Sequence, residues 1–172
     1  MRWVAFLRAI NTGNRRVKGD RLAAIFESFG FESVSSYQAS GNVLFSADEP
    51  DRSELERVLR FELGYDVPTV LRSGRVVREI SSATPFDPTE LDGTERRIQV
   101  VLVRDPAPLP TLLTACAGAP DGELLRPHGG DVFWLPRAGI SGSTLDLGNL
   151  ERQLGPVTVR THNTLRRLVE RL

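Results

Sequence analysis

Val4-Ala5-Phe6-Leu7-Arg8 and Val100-Val101-Leu102-Val103-Arg104 are one phrase written twice in a chain of 172 residues. Each is an apolar run closed by an arginine, the pattern of a buried strand with a charged end. Further matches keep the same order. Ser40-Gly41-Asn42-Val43-Leu44-Phe45 reads like Gly129-Gly130-Asp131-Val132-Phe133-Trp134. Leu63-Gly64 followed by Thr69-Val70 reads like Leu154-Gly155 followed by Thr158-Val159. Two copies of one small α+β unit follow from these matches, and a cleft between the copies is the expected place for a ligand.

Around the first phrase, Trp3–Ile10 reads as a strand and Asn11–Gly19 as a polar loop. Leu22, Ile25, Phe26 and Phe29 recur at helical spacing, and Gly30 is placed to end that helix. Val34–Ala39 and Val43–Ser46 flank Ser40-Gly41-Asn42, a hairpin signal because Gly and Asn tolerate positive φ. Ser53 with Glu56 fits a capping box, and Leu55, Val58, Leu59 and Leu63 give the next helix its apolar face. Val67–Leu71 is a short strand, and Ser73 can cap a helix carrying Val76, Val77 and Ile80. The order β-α-β-β-α-β-α is ferredoxin-like with an added helix. The second copy repeats it: strand Ile98–Val103, helix Leu109–Ala117, hairpin Leu124–Leu135, helix Leu145–Leu154, strand Val157–Val159, helix Asn163–Leu172. The fold class is therefore α+β, with two ferredoxin-like (βαββαβ-type) subdomains related by an internal pseudo-repeat. The expected division is 1–84, an acidic Pro/Gly connector 85–95, and 96–172.

Composition excludes more than it identifies. With 40% hydrophobic and 26% charged residues, the chain has an ordinary globular balance. One cysteine, Cys116, leaves no internal disulfide framework, and its apolar helical setting marks a buried, inert thiol. Two histidines, His128 and His162, argue against a zinc enzyme, so no metal and no cofactor is expected. The apolar run Trp3–Leu7 is too short for a signal peptide or membrane span, which makes the cytoplasm the expected location. Formal net charge is zero but unevenly spread. Residues 1–21 carry six basic side chains against Asp20, Asp87–Glu95 carries four acids and no base, and the tail from Val157 is basic. Such patches can steer an anion or can be ordinary solvated surface.

The two copies differ most after the first strand. Arg8 and Gly41 stand 33 positions apart, whereas Arg104 and Gly130 stand 26 apart. The added residues fall in Ala9–Gly19, and extra loop at a strand end is where function concentrates. Arg8 with Asn11 and the amides around Gly13 can hold a carboxylate or phosphate, or can tie the fold together. The loop lacks the spacing of a nucleotide-binding P-loop. Ser40, Gly41 and Asn42 form a turn first, and Ser40 as a nucleophile needs a base that neither histidine supplies nearby in sequence. Arg160, His162, Asn163 and Thr164 open the last helix. Asn163 or Thr161 can cap it, and its amides and dipole favour an anion beside Arg160.

Phe6-Leu7-Arg8-Ala9-Ile10-Asn11-Thr12-Gly13, Phe29-Gly30-Phe31, Ser40-Gly41-Asn42-Val43, Thr84-Pro85-Phe86 and Arg160 with Asn163-Thr164 occur in one order along the chain. In these pieces the chain resembles the domain of unknown function 1697 family, over essentially its whole length. The resemblance implies a bacterial cytoplasmic protein of two α+β subdomains, at least one ferredoxin-like, and implies no activity. Ala9 and Asn14 stand where that family usually has glycine. Gln38-Ala39 replaces a hydrophobic–glutamine pair, and Thr161-His162 replaces an asparagine–tryptophan pair.

These observations favour a non-catalytic binding module for a small anionic ligand, with Arg8, Asn11, Asn42 and Arg160 converging on it. One alternative is single-stranded nucleic-acid binding by the ferredoxin-like sheet, which needs exposed aromatics on central strands. The other is an enzyme acting on a phosphorylated or acyl substrate through Ser40 or His162, for which no nucleophile–base–orienter set can be named.

Overall fold

A computed structural model describes residues 1–38 and 41–172. The first copy runs β1 (Arg2–Leu7), α1 (Gly19–Ser28), β2 (Glu32–Tyr37), β3 (Asn42–Ser46), α2 (Arg52–Leu63), β4 (Thr69–Ser73) and α3 (Gly74–Ser82). After a one-turn helix, α4 (Pro88–Leu91), and a 3₁₀ turn at Glu95–Arg97, the second copy follows. It comprises β5 (Gln99–Val103), α5 (Leu109–Ala117), β6 (Glu123–His128), β7 (Asp131–Pro136), α6 (Leu147–Leu154), β8 (Val157–Thr161) and α7 (His162–Val169). Each copy builds a four-stranded antiparallel sheet, ordered β2-β3-β1-β4 and β6-β7-β5-β8. The chain is thus an α+β protein built twice on one βαββαβ element order.

Register makes the repeat exact to the residue. Val4 lies opposite Leu44 and Arg72, and Val100 lies opposite Phe133 and Arg160. Arg8 N donates to Pro68 O at 3.0 Å, and Arg104 N donates to Pro156 O at 2.8 Å. Two of the sequence matches, Val4–Arg8 with Val100–Arg104 and Ser40–Phe45 with Gly129–Trp134, agree with this register where it is described. The third is displaced by one. Thr69 faces Leu7 and Val157 faces Val103, so Thr69 corresponds to Val157 and not to Thr158. The proline carbonyls that receive the two arginine amides set this register, whatever residues follow them.

Local chemistry explains where elements stop. β1 ends at Leu7 rather than Ile10 because Ala9 has φ +55°, a left-handed conformation that costs an L-residue about 1–2 kcal/mol. Gly41 (φ +75°) hands its carbonyl to Leu7 N, and a Cβ there would stand 2.6 Å from Ile10 Cγ2. In the other sheet Gly129-Gly130, both at positive φ, make the two-residue turn of β6–β7. The α2 cap is Asp51, whose carboxylate accepts from Glu54 N; Ser53 falls inside the helix. Thr161 rather than Asn163 caps α7, its Oγ1 accepting from Thr164 N at 3.0 Å.

By packing, the chain divides into two compact units, Met1–Val77 with Leu168–Leu172, and Arg78–Arg167. In the first, Phe26, Phe31 and Phe45 build an aromatic core with Leu55 and Leu59, Phe31 and Phe45 stacking at 4.3 Å. Arg2 donates to Arg171 O and Arg171 lies over the Tyr37 ring, which fixes the chain terminus into this unit. The second unit has an aliphatic cluster around Val101, Val103, Leu112 and Leu150, in which Trp134 is the large ring. Trp134 Nε1 donates to Glu123 Oε2 at 2.6 Å, while Glu123 Oε1 accepts from Thr144 N.

Candidate functional site

Most of the polar residues singled out in the first copy are committed to its own backbone. Asn11 brackets its loop: Oδ1 accepts from Val17 N at 2.7 Å and Nδ2 donates to Val17 O at 3.2 Å. Asn42 is fully buried and donates to Tyr37 O at 3.1 Å, closing the β2–β3 connection. Gly41 supplies the close approach described above, and Gly13 sits in the exposed turn that Arg15 N closes onto Thr12 O. Arg8 is half-buried at the end of β1. Ser40 lies outside the described residues. The loop and the turn do meet, through the Leu7–Gly41 bond and the contact of Gly41 with Ile10.

In the second copy the junction of β8 and α7 gathers the remaining candidates. Pairing with β5 carries β8 to Thr161, and His162 N, the first amide of α7, donates to Ile98 O at 2.9 Å. The Thr161 and Thr164 hydroxyls meet at 2.8 Å beneath that turn. His162 is buried, its ring edge-on to Phe133 at 5.3 Å, with Nε2 3.1 Å from Ile80 O. A carbonyl only accepts, so this contact fixes the tautomer that carries hydrogen on Nε2. Burial lowers the His162 pKa, the bond to Ile80 O opposes the shift, and the Arg166 charge adds to it. His162 is neutral at physiological pH.

Arg160 is not among the residues that line this corner's opening. It is 8% exposed, and its Nη1 donates to Thr158 Oγ1 and to Val159 O, both at 2.9 Å. Burial pulls its pKa down to about 10, which leaves it charged at neutral pH. Arg72 occupies the same register in the first sheet, is 4% exposed, and donates to Leu71 O in the same way. The one-residue slip in the sequence match hides this equivalence, and correct alignment on Pro68 and Pro156 finds Arg72 at once.

Three arginines that sequence reading did not select as ligand-binding are on the accessible side. A depression of about 510 Å³ is lined by Glu95, Arg96, Thr161, His162, Asn163, Arg166 and Arg167. Arg96, Asn163, Arg166 and Arg167 are exposed, and Glu95 is the only carboxylate among the lining residues. Arg166 is steadied by donation from Nε to Ser81 O at 3.4 Å. The sequence signal for Arg166 and Arg167 is the basic tail, whereas Arg96 has none, and helical phase and the 3₁₀ turn at Glu95–Arg97 decide which arginines meet. Cys116 stands elsewhere, on α5, with burial raising its pKa to about 11, so it carries no thiolate chemistry at neutral pH.

Comparison with known proteins adds a family. The pattern of the proteins of unknown function DUF1697 matches residues 1–133. The chain belongs to the DUF1697 family. Beyond the match, DUF1697 membership carries no stated activity. The fold of a conserved bacterial protein from Streptococcus pneumoniae superposes with a TM-score of 0.68, covering 99% of this chain and 97% of that one at 16% identity. At that identity the likeness speaks for the fold of this DUF1697 member alone. No curated protein matches the chain. Among the described residues, no helix is long and apolar enough to cross a membrane.

Proposed function

We propose that the protein is a binding module for a small anionic ligand, held at the β8–α7 corner of its second unit. The carrying observation is the depression itself, where three arginines and one acid surround the start of α7. Arg96, Arg166 and Arg167 pair with phosphate or carboxylate oxygens, and Arg guanidinium suits both bidentately. The exposed Asn163 supplies a neutral donor, and the α7 dipole favours negative charge at this end. Thr161 and His162 are positioning residues, because their own bonds go to the helix cap, Ile98 and Ile80. This ligand class needs no cofactor and suits a protein of the cytoplasm.

The sheet-borne nucleic-acid alternative has little support. Phe6, Phe45, Phe133 and Trp134 on the central strands are 0%, 0%, 0% and 3% exposed, and the half-buried Trp3 packs against the first core with its Nε1 donating to Ala47 O.

Thermal shift against inorganic phosphate, nucleotides, sugar phosphates and carboxylates tests the proposal. Ligand at about one hundred times its Kd adds about 2.7 kcal/mol, or about 5–11 °C for a chain of this size. The shift is expected in wild type and lost in Arg166→Ala/Arg167→Ala, whose unliganded melting temperature stays near wild type because both positions are exposed. No shift with any of these ligands, or one retained by the double variant, overturns it.

A further inference from the structure

We propose that the first unit carries a docking surface for single-stranded nucleic acid, made by the Asn11–Gly19 loop, the start of α1 and the end of α2. Phe61 is 83% exposed, the most exposed large apolar side chain among the described residues. Just beyond the end of α2, past the left-handed cap Gly64, Tyr65 is half-buried, and the Arg15 guanidinium lies 4.0 Å over its ring centroid. Tyr65 Oη donates to Ile10 O, and Arg21 Nη2 donates to Glu62 O at 2.7 Å. These ties draw the loop and the start of α1 against the end of α2. Arg16 is held over its own loop by donation to Gly13 O and Arg15 O.

Charge then selects the partner. Glu54 is paired with Arg57 and Asp66 with Arg60, which leaves the exposed Asp20 and Glu62 as the acids at the start of α1 and the end of α2, outnumbered by the cations. Arg15, Arg16, Lys18 and Arg21 form no ion pair with a carboxylate among the described residues, and all four are exposed. A surface that joins unneutralised cations to an exposed ring suits a chain of alternating phosphates and stackable bases. A duplex hides its base faces and a purely acidic peptide such as polyglutamate has no ring to lay on Phe61, so neither uses it. The site is separate from the anion-binding corner, and neither proposal rests on the other.

The test is fluorescence anisotropy of a labelled 20-nucleotide oligo(dT) with the full chain at two salt concentrations. Phe61→Ala is expected to weaken binding at least about fivefold, the loss of one base stack, and Phe61→Tyr to retain it. Arg15→Ala/Arg16→Ala is expected to weaken binding and flatten the log–log salt slope by about 1.4, for two lost phosphate contacts. Circular dichroism melts check that each variant is folded. Four results overturn the proposal: no binding at low salt, binding indifferent to Phe61→Ala, equal binding of duplex or polyglutamate, or dependence on Arg166 and Arg167 in place of Arg15 and Arg16.

Discussion

The two sheets share a frame and differ in what hangs from it. In both, an amide at the end of the first strand reaches a proline carbonyl, and a buried arginine on the last strand donates to the carbonyl before it. In both, a hydroxyl caps the following helix: Ser73 toward Val76 N, and Thr161 toward Thr164 N. The first sheet then adds a bracketed basic loop and a phenylalanine core. The second keeps a short connection, in which Ala107 N reaches Gly130 O, and has His162 where the first has Gly74. Duplicated backbone contacts therefore hold the fold, and the unshared side chains are where the copies acquired separate roles.

Paired substitutions at equivalent positions test whether the shared frame or the unshared side chains carry the stability of each copy. The largest effects belong to Phe45 and Trp134, which share a register position opposite Trp3 and Gln99. Either change to Ala is expected to cost about 3–5 kcal/mol in urea unfolding. Trp134→Ala belongs at the upper end, because the buried Glu123 carboxylate loses its indole donor. Equal costs would mean that Glu123 finds water instead.

Next come Gly41 and Gly130, equivalent glycines at φ +75° and +95°, where a Cβ would meet Ile10 Cγ2 and Pro106 Cβ, each at 2.6 Å. Gly41→Ala and Gly130→Ala are each expected to lose about 1–3 kcal/mol, from overpacking and backbone strain. Ala9→Gly runs the other way, gaining about 1 kcal/mol by relieving its positive φ. Denaturant midpoints that fall in Ala9→Gly would place the strain elsewhere.

The smallest effect is the protonation of His162. Its folded pKa lies below its unfolded value, so the unfolded chain binds the proton first. Stability then falls as pH drops through about 6.5 and levels off below the folded pKa. Melting temperatures between pH 7.5 and 5.5 should decline in wild type and flatten in His162→Gln. An unchanged profile in the variant would assign the decline to another group.

How much of this was legible in the sequence follows from which contacts are local. Apolar strands and glycine turns announced the repeat, because alternation and positive φ leave marks within a few residues. The third match slipped because two threonines looked alike, whereas the carbonyls of Pro68 and Pro156 fix the register. Asp51 and Ser53 both satisfy capping rules, and only the helix start chooses between them. The Arg15–Tyr65 stack joins residues fifty positions apart and leaves no local trace. The terminal helix showed its apolar stripe, yet periodicity does not say which core receives it, and Leu168–Leu172 belong with the first unit.

The Asn11 bracket has one more consequence. Because a single side chain clamps Val17 at both backbone atoms, the loop closes on itself, and of its inner residues Thr12, through Ala9 O, and Arg15, over the Tyr65 ring, reach beyond it while Arg16 bonds only within it. Natural drift or a library can rewrite the exposed Asn14 and Arg16 without disturbing the sheet beneath. Such a loop is a ready graft point, where new specificity can be tried at little risk to folding.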